Sequence, residues 1–303
     1  MIPIVNRTML SGVTRPVRYG LILAGAVFAA PGILATVTAP ALAGAATDWQ
    51  QANHAATRLL VDKAKKDGRD VPIVAGIHVK LDDGWKTYWR NPGDAGLPPS
   101  FDWSGSKNLK SAKVLWPAPA RFKDSAGTSY GYKKEVVFPV LVEAQDPAAP
   151  VELHLRLEYA VCADICIPAE AELSVSSKPS GFFSRSYSGL LEAYLAKVPV
   201  KLAPGKGKAI GVHDATARLS GDNPELVFEA QFPAGTSSRD LFVEGPEGFY
   251  LPPSKVAADE GNGRMRYRID LAEGDDPKEL AGKSVIVTLV SDKAQAEVHW
   301  QVK

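Results

Sequence analysis

The sequence predicts an all-β protein: two immunoglobulin-like β-sandwich domains joined by a short helix and linker, behind an N-terminal signal peptide. Short β-branched and aromatic runs recur between Gly, Pro, Asn and Asp turn residues along the chain. Only one stretch, residues 182–197, carries apolar residues at helical spacing. The composition agrees: 303 residues, 45% hydrophobic and 23% charged, with 26 Gly and 23 Pro, is ordinary globular chain for roughly two domains. Collagen-like, mostly disordered and multi-span membrane classes are excluded. With 35 Lys+Arg against 34 Asp+Glu the net charge is +1, so no field of one sign exists to attract nucleic acid.

Residues 1–45 are expected to be the signal peptide. Arg7, Arg15 and Arg18 precede an apolar run from Tyr19 to Val37, and Ala41-Leu42-Ala43-Gly44-Ala45 supplies the small-residue cleavage site. An uncleaved membrane anchor is the alternative, because the run approaches the ~20 residues that span a bilayer, although Gly20, Gly25, Pro31 and Gly32 interrupt it. Losing the three arginines takes the charge from +1 to −2. The expectation is an exported, periplasmic protein in which a cysteine pair can be oxidised.

The first domain is expected over 48–180, with strands at 71–81, 84–90, 101–103, 108–116, 135–144, 151–161 and 169–175. Residues 181–204 read as helix and linker: Tyr187, Leu190, Leu191, Tyr194 and Leu195 share one helical face, and Pro204-Gly205 follows. The second domain, 205–303, has strands at 225–232, 240–244, 264–271, 284–290 and 295–302. Trp85, Trp89, Trp103 and Trp116 interleave with strand patterns and read as packing residues.

Chemistry concentrates at Cys162 and Cys166, the sole cysteines. In the strand leading to them, Leu153, Leu155, Leu157, Tyr159 and Val161 share one face. Cys162 falls with His154, Arg156 and Glu158 on the other, polar face, and Cys166 has the parity of Glu170 and Glu172. Along one continuous strand the two would lie about 13 Å apart, far beyond disulfide reach, so bonding requires a turn at Ala163-Asp164-Ile165. Such a bond closes a five-residue loop and stabilises by only about 2 kcal/mol. The residues leave three readings open: a redox-active disulfide, an inert structural disulfide, or two metal ligands. Against metal, His154 lies about 26 Å up the strand from Cys162, and Met265 is the one methionine beyond the signal region.

The stretch Leu157-Glu158-Tyr159-Ala160-Val161-Cys162-Ala163-Asp164-Ile165-Cys166-Ile167-Pro168 resembles the active-site hairpin of the N-terminal domain of the DsbD thiol:disulfide interchange family, including its ScsB-like relatives. Gly84-Trp85-Lys86-Thr87-Tyr88-Trp89-Arg90-Asn91-Pro92-Gly93-Asp94, Tyr130-Gly131-Tyr132 and Val137-Phe138-Pro139-Val140 are similar to it as well, so the likeness spans roughly residues 50–178. The resemblance implies an immunoglobulin-like domain whose catalytic pair, Cys162 and Cys166, relays electrons to periplasmic disulfide-containing acceptors; separately, no cofactor and no metal ligand are expected. The family's aromatic cap loop would fall around Lys123–Tyr132, where a phenylalanine is missing and Tyr130 or Tyr132 is the candidate. Asp164, Tyr159, Tyr88 and Arg90 are the other expected neighbours of the pair.

Two departures stand out. The C-x3-C spacing is tighter than in the DsbD form, and this sequence shows neither a membrane conduit nor a thioredoxin-like domain with a second cysteine pair. The expected donor is therefore a separate protein, either a membrane electron-transfer protein (CcdA-like or DsbD-like) or a thioredoxin-like one. With Asp164 in the loop and no helix N-terminus nearby, the thiols are expected near or above the free value of about 8.5. Competing expectations are a non-catalytic periplasmic binding module with a structural disulfide, and a copper-handling protein.

Overall fold

The computed structural model describes residues 45–124, 127–178 and 185–303. Except for Ala45, the expected signal peptide lies outside the described residues, as do Ser125 and Ala126 of the expected cap loop. No helix of the described residues is long and apolar enough to cross a membrane.

The first sandwich comprises β1 (Ala45–Ala46), β2 (Gln50–Ala52), β3 (Ala55–Lys66), β4 (Arg69–Leu81), β5 (Lys86–Gly93) and β6 (Ser100–Asp102). It continues with β7 (Leu109–Val114), β8 (Ala120–Asp124), β9 (Gly127–Lys133), β10 (Glu135–Ala144), β11 (Glu152–Cys162) and β12 (Cys166–Ser176). One sheet runs β1-β3-β4-β10-β7 with β2 on β3, and the other runs β12-β11-β5-β9-β8 with β6 on β11. The apolar alternation of β11 does what its period dictates: Leu153, Leu155, Leu157, Tyr159 and Val161 enter the core between the sheets, joined by Ala169, Ala171 and Leu173 of β12.

Helix α1 (Ser188–Leu195) packs on β3, β4 and β10, burying Leu191, Tyr194 and Leu195. It lies so close to the sheet that a Cβ on Gly76 of β4 would stand 2.6 Å from Leu191 Cδ2. Its first turn lacks a side-chain cap of its own. Asp62 of β3 supplies one, accepting from the backbone N–H of Tyr187 (2.7 Å) and Ser188 (3.1 Å).

The second sandwich is built from β13 (Val200–Leu202), β14 (Gly211–Arg218), β15 (Glu225–Gln231) and β16 (Arg239–Glu244). It is completed by β17 (Lys255–Gly261), β18 (Arg264–Asp270), β19 (Ser284–Ser291) and β20 (Gln295–Gln301). Its sheets run β13-β20-β19-β16 and β14-β15-β18-β17 around their own core. β13 falls in the segment expected as linker, yet it pairs parallel with β20 as an edge strand. Both halves are thus all-β and immunoglobulin-like, with one α-helix among the described residues.

The sandwiches belong to one compact unit. Phe242 of β16 is 1% exposed and joins the core cluster of the first sandwich, edge-on to Trp89 and Tyr130 with ring centroids 5.9 and 4.8 Å away. Arg90 of β5 forms a fork on Glu244 (2.6 and 2.8 Å) and reaches Glu297 at 2.7 Å. Arg121 of β8 does the same to Asp240 (2.7 and 2.9 Å) and also donates to the carbonyls of Leu241 and Ser254. Planar guanidinium forks of this kind fix orientation as well as attraction.

Candidate functional site: a disulfide at a hairpin tip

The β11–β12 register closes at Cys162↔Cys166, with Ala163-Asp164-Ile165 as the turn. The Ala163 N–H donates to the Ile165 carbonyl at 3.1 Å. This brings the two Cα atoms to 4.1 Å, and the sulfurs are bonded. Ile165 projects from the turn, 67% exposed.

The sulfurs are not equivalent. Cys166 is exposed. Cys162 is 1% exposed and clusters with Tyr88 and Ala160. Strand parity does place Cys162 opposite the leucines, but the expectation that this face is open to solvent is corrected here. The reason is β5, which pairs with β11 at Lys86↔Cys162 and lays Tyr88 over the end of the polar face.

The Tyr88 hydroxyl donates to Cys162 Sγ at 2.8 Å and stands 3.2 Å from Cys166 Sγ. Burial, and then the nearby Asp124 carboxylate, raise the Tyr88 pKa, so the phenol keeps its proton and remains a donor. A cavity of about 60 Å³, room for a water or two, adjoins the sulfurs; Lys86, Tyr88, Asp124, Ser129 and Asp164 share its wall with both cysteines. Lys86 is 6% exposed, ion-paired with Asp124, and donates to Ser129 Oγ at 3.0 Å. Sequence reasoning missed Lys86 and Asp124. The signal for Lys86 was present, since it lies two residues from Tyr88 on one strand and so shares its face.

Behind Tyr88 stands the loop after β5. Gly96 adopts φ +134°, and a Cβ there would lie 2.2 Å from Tyr88 Cε1, so only glycine lets the loop lie against the ring. Asp94 anchors this loop: its N–H donates to the Thr128 carbonyl (2.8 Å), and its Oδ2 accepts from the Thr128 N–H (2.7 Å).

Of the expected surround, the structure brings Tyr88 and Asp164 to the sulfurs and places the others elsewhere. Tyr159 points into the core, where its hydroxyl meets Thr57 Oγ1 at 3.0 Å. Arg90 faces the second sandwich through its carboxylate partners. The segment expected to form a cap around Lys123–Tyr132 is largely the β8–β9 hairpin, and its tyrosines do not cover the pair. Tyr132 donates to the Pro117 carbonyl at 2.7 Å. Tyr130 lies against Phe242, and burial pushes its phenol up to about 12. The alternation of Tyr130-Gly131-Tyr132 explains the correction, because it sends both rings to one inward face.

Residues 56–178 match the family model described as "Thiol:disulfide interchange protein DsbD, N-terminal". Residues 197–303 match a domain of unknown function, DUF8393. No curated protein sequence matches the chain. Among solved structures, the N-terminal periplasmic domain of ScsB from Proteus mirabilis is similar in fold, with a TM-score of 0.66 at 20% identity over 86% of this chain and 98% of that one.

Proposed function

We propose that the DsbD N-terminal-like domain formed by residues 56–178 is a periplasmic thiol–disulfide relay whose working pair is Cys162 and Cys166. The observation that carries this reading is the asymmetry of the sulfurs: Cys166 is open to an incoming thiolate, while Cys162 lies beneath a phenol that can donate a hydrogen bond to the leaving thiolate. An exchange step needs an accessible sulfur to attack and a stabilised thiolate to leave.

In the reductive half, a thiolate of a dithiol donor attacks Cys166 Sγ. The Cys162–Cys166 bond breaks, a mixed disulfide forms at Cys166, and the electron pair departs on Cys162 Sγ, to which Tyr88 donates its hydrogen bond. The donor's second thiolate then attacks its own sulfur in the mixed disulfide and releases Cys166, leaving the donor oxidised and this pair reduced. Reversal of the same steps against an oxidised periplasmic protein passes the two electrons on. The donor is of the membrane electron-transfer (CcdA-like or DsbD-like) or thioredoxin-like class, either of which would supply the dithiol that this two-step reduction requires.

Trapping tests the reading. Cys162→Ala retains the exposed thiol and is expected to accumulate mixed disulfides with an oxidised thioredoxin-like protein on non-reducing gels. Cys166→Ala retains only the buried one and is expected to trap little. If the wild-type reduced protein exchanges with no thioredoxin-like partner and Cys162→Ala traps none, the relay is wrong.

A further inference from the structure

The second sandwich holds the strands that wall the sulfur cavity. Arg121 lies on β8, which ends at Asp124 in that wall, and forks onto Asp240. Tyr130 on β9 packs against Phe242. The third hold is nearest the chemistry: the Tyr250 hydroxyl donates to Asp94 Oδ1 at 2.7 Å. Asp94 thus ties Thr128, by two hydrogen bonds, to Tyr250 of the other sandwich. Two residues further on, Gly96 presses on the Tyr88 ring, whose hydroxyl rests on Cys162 Sγ.

We propose that Tyr250 is a positioning residue for the exchange: through Asp94 and the Gly96 loop, the second sandwich holds the Tyr88 hydroxyl on the sulfur of Cys162. This gives residues 197–303 a part in the chemistry without contact between Tyr250 and either sulfur. It rests on the exchange reading for its biological meaning, but the coupling itself concerns only the rate at which the disulfide opens.

When dithiothreitol reduces the pair, its thiolate attacks Cys166 Sγ, the Cys162–Cys166 bond breaks, and Cys162 leaves as a thiolate. The second dithiothreitol thiolate closes the ring and frees Cys166, so two electrons pass from reductant to protein. A phenol held in place stabilises the departing Cys162 charge, and one free to swing away does so less. Loosening the loop therefore slows opening, because the attacked sulfur is already exposed and gains no access.

The test uses the full chain and dithiothreitol under pseudo-first-order conditions, with thiols quenched by alkylation and counted. Tyr88→Phe is expected to slow reduction about tenfold, the size of a lost hydrogen bond to a charged group. Tyr250→Phe is expected to slow it about two- to fivefold, less than the loss of the Tyr88 hydroxyl itself, because it acts on that hydroxyl only through the loop. In the Tyr88→Phe background, Tyr250→Phe is expected to add nothing, as two residues acting through one contact are non-additive. A merely structural role would lower the melting temperature and leave these rate ratios at one. Wild-type kinetics in Tyr250→Phe, or an equal slowing with and without the Tyr88 hydroxyl, would overturn the proposal. Failure of the relay reading looks different: the coupled slowing with dithiothreitol would persist while no protein partner exchanges with the wild type.

Discussion

Single atoms decide which sulfur is approachable, and one of them was within reach of sequence reasoning. Parity along β11 set Cys162 apart from Leu157, Tyr159 and Val161, which the structure places in the core. Its burial was not legible, because the covering Tyr88 arrives from a strand 74 residues earlier. His78 shows the same limit. It is 2% exposed, takes a hydrogen bond from Arg58 Nε on Nδ1 (3.2 Å), and is hydrogen-bonded to Glu135 through Nε2, partners 20 and 57 residues away along the chain. Arg58 occupies Nδ1 as a donor, so the ring's own proton sits on Nε2, facing Glu135. Burial lowers the His78 pKa below the ordinary value, with Arg58 and Lys80 adding to this and Glu135 opposing it. The unfolded chain then binds this proton more readily than the fold does. Stability is therefore expected to be fully present above about pH 6.5 and to fall as pH drops below it. Melting curves between about pH 5 and 7.5 check this: His78→Gln should melt lower at neutral pH and lose less on acidification.

Elements were easiest to read where one face is polar and hardest where both are covered. β18 alternates along its whole length, and β11 does so from Glu152 to Tyr159. β3 does not: Ala55-Ala56-Thr57-Arg58-Leu59-Leu60-Val61-Asp62-Lys63-Ala64-Lys65-Lys66 is rich in helix formers and carries a continuous apolar run. It is nonetheless a central strand, with Leu59 and Val61 turned to the core and Leu60 fully buried beside the Gly76 contact with α1. A strand covered on both sides loses its alternation, and tertiary packing overrides propensity. At the β11–β12 hairpin the register is continuous from Glu152↔Ser176 to Cys162↔Cys166, so the strands hold each other without the sulfur bond. Replacing both cysteines by alanine should cost about 2 kcal/mol, the loop-closure value for so short a ring. For a protein of this size that is a fall of about 4–8 °C in melting temperature. A loss several times larger in calorimetry would mark the bond as a structural staple.

The whole molecule is organised by what one half lends the other. Phe242 belongs by sequence to the second sandwich and by packing to the first. Nothing in its strand pattern could reveal this, since an apolar residue is read as facing its own core until a neighbouring surface is known. Arg90 and Arg121 add two forked ion pairs in a partly buried seam, where removing one partner leaves a charge stranded. Phe242→Ala is expected to cost about 3–5 kcal/mol, as for a large aromatic in a packed interior. It should also split one calorimetric transition into two, each half then melting by itself. The seam has a practical corollary for anyone dissecting the protein. A fragment ending near the start of β13 would keep both cysteines yet bare the rings of Trp89 and Tyr130 to water. Its sticky flank and altered reactivity would then report the amputation, not the native chemistry.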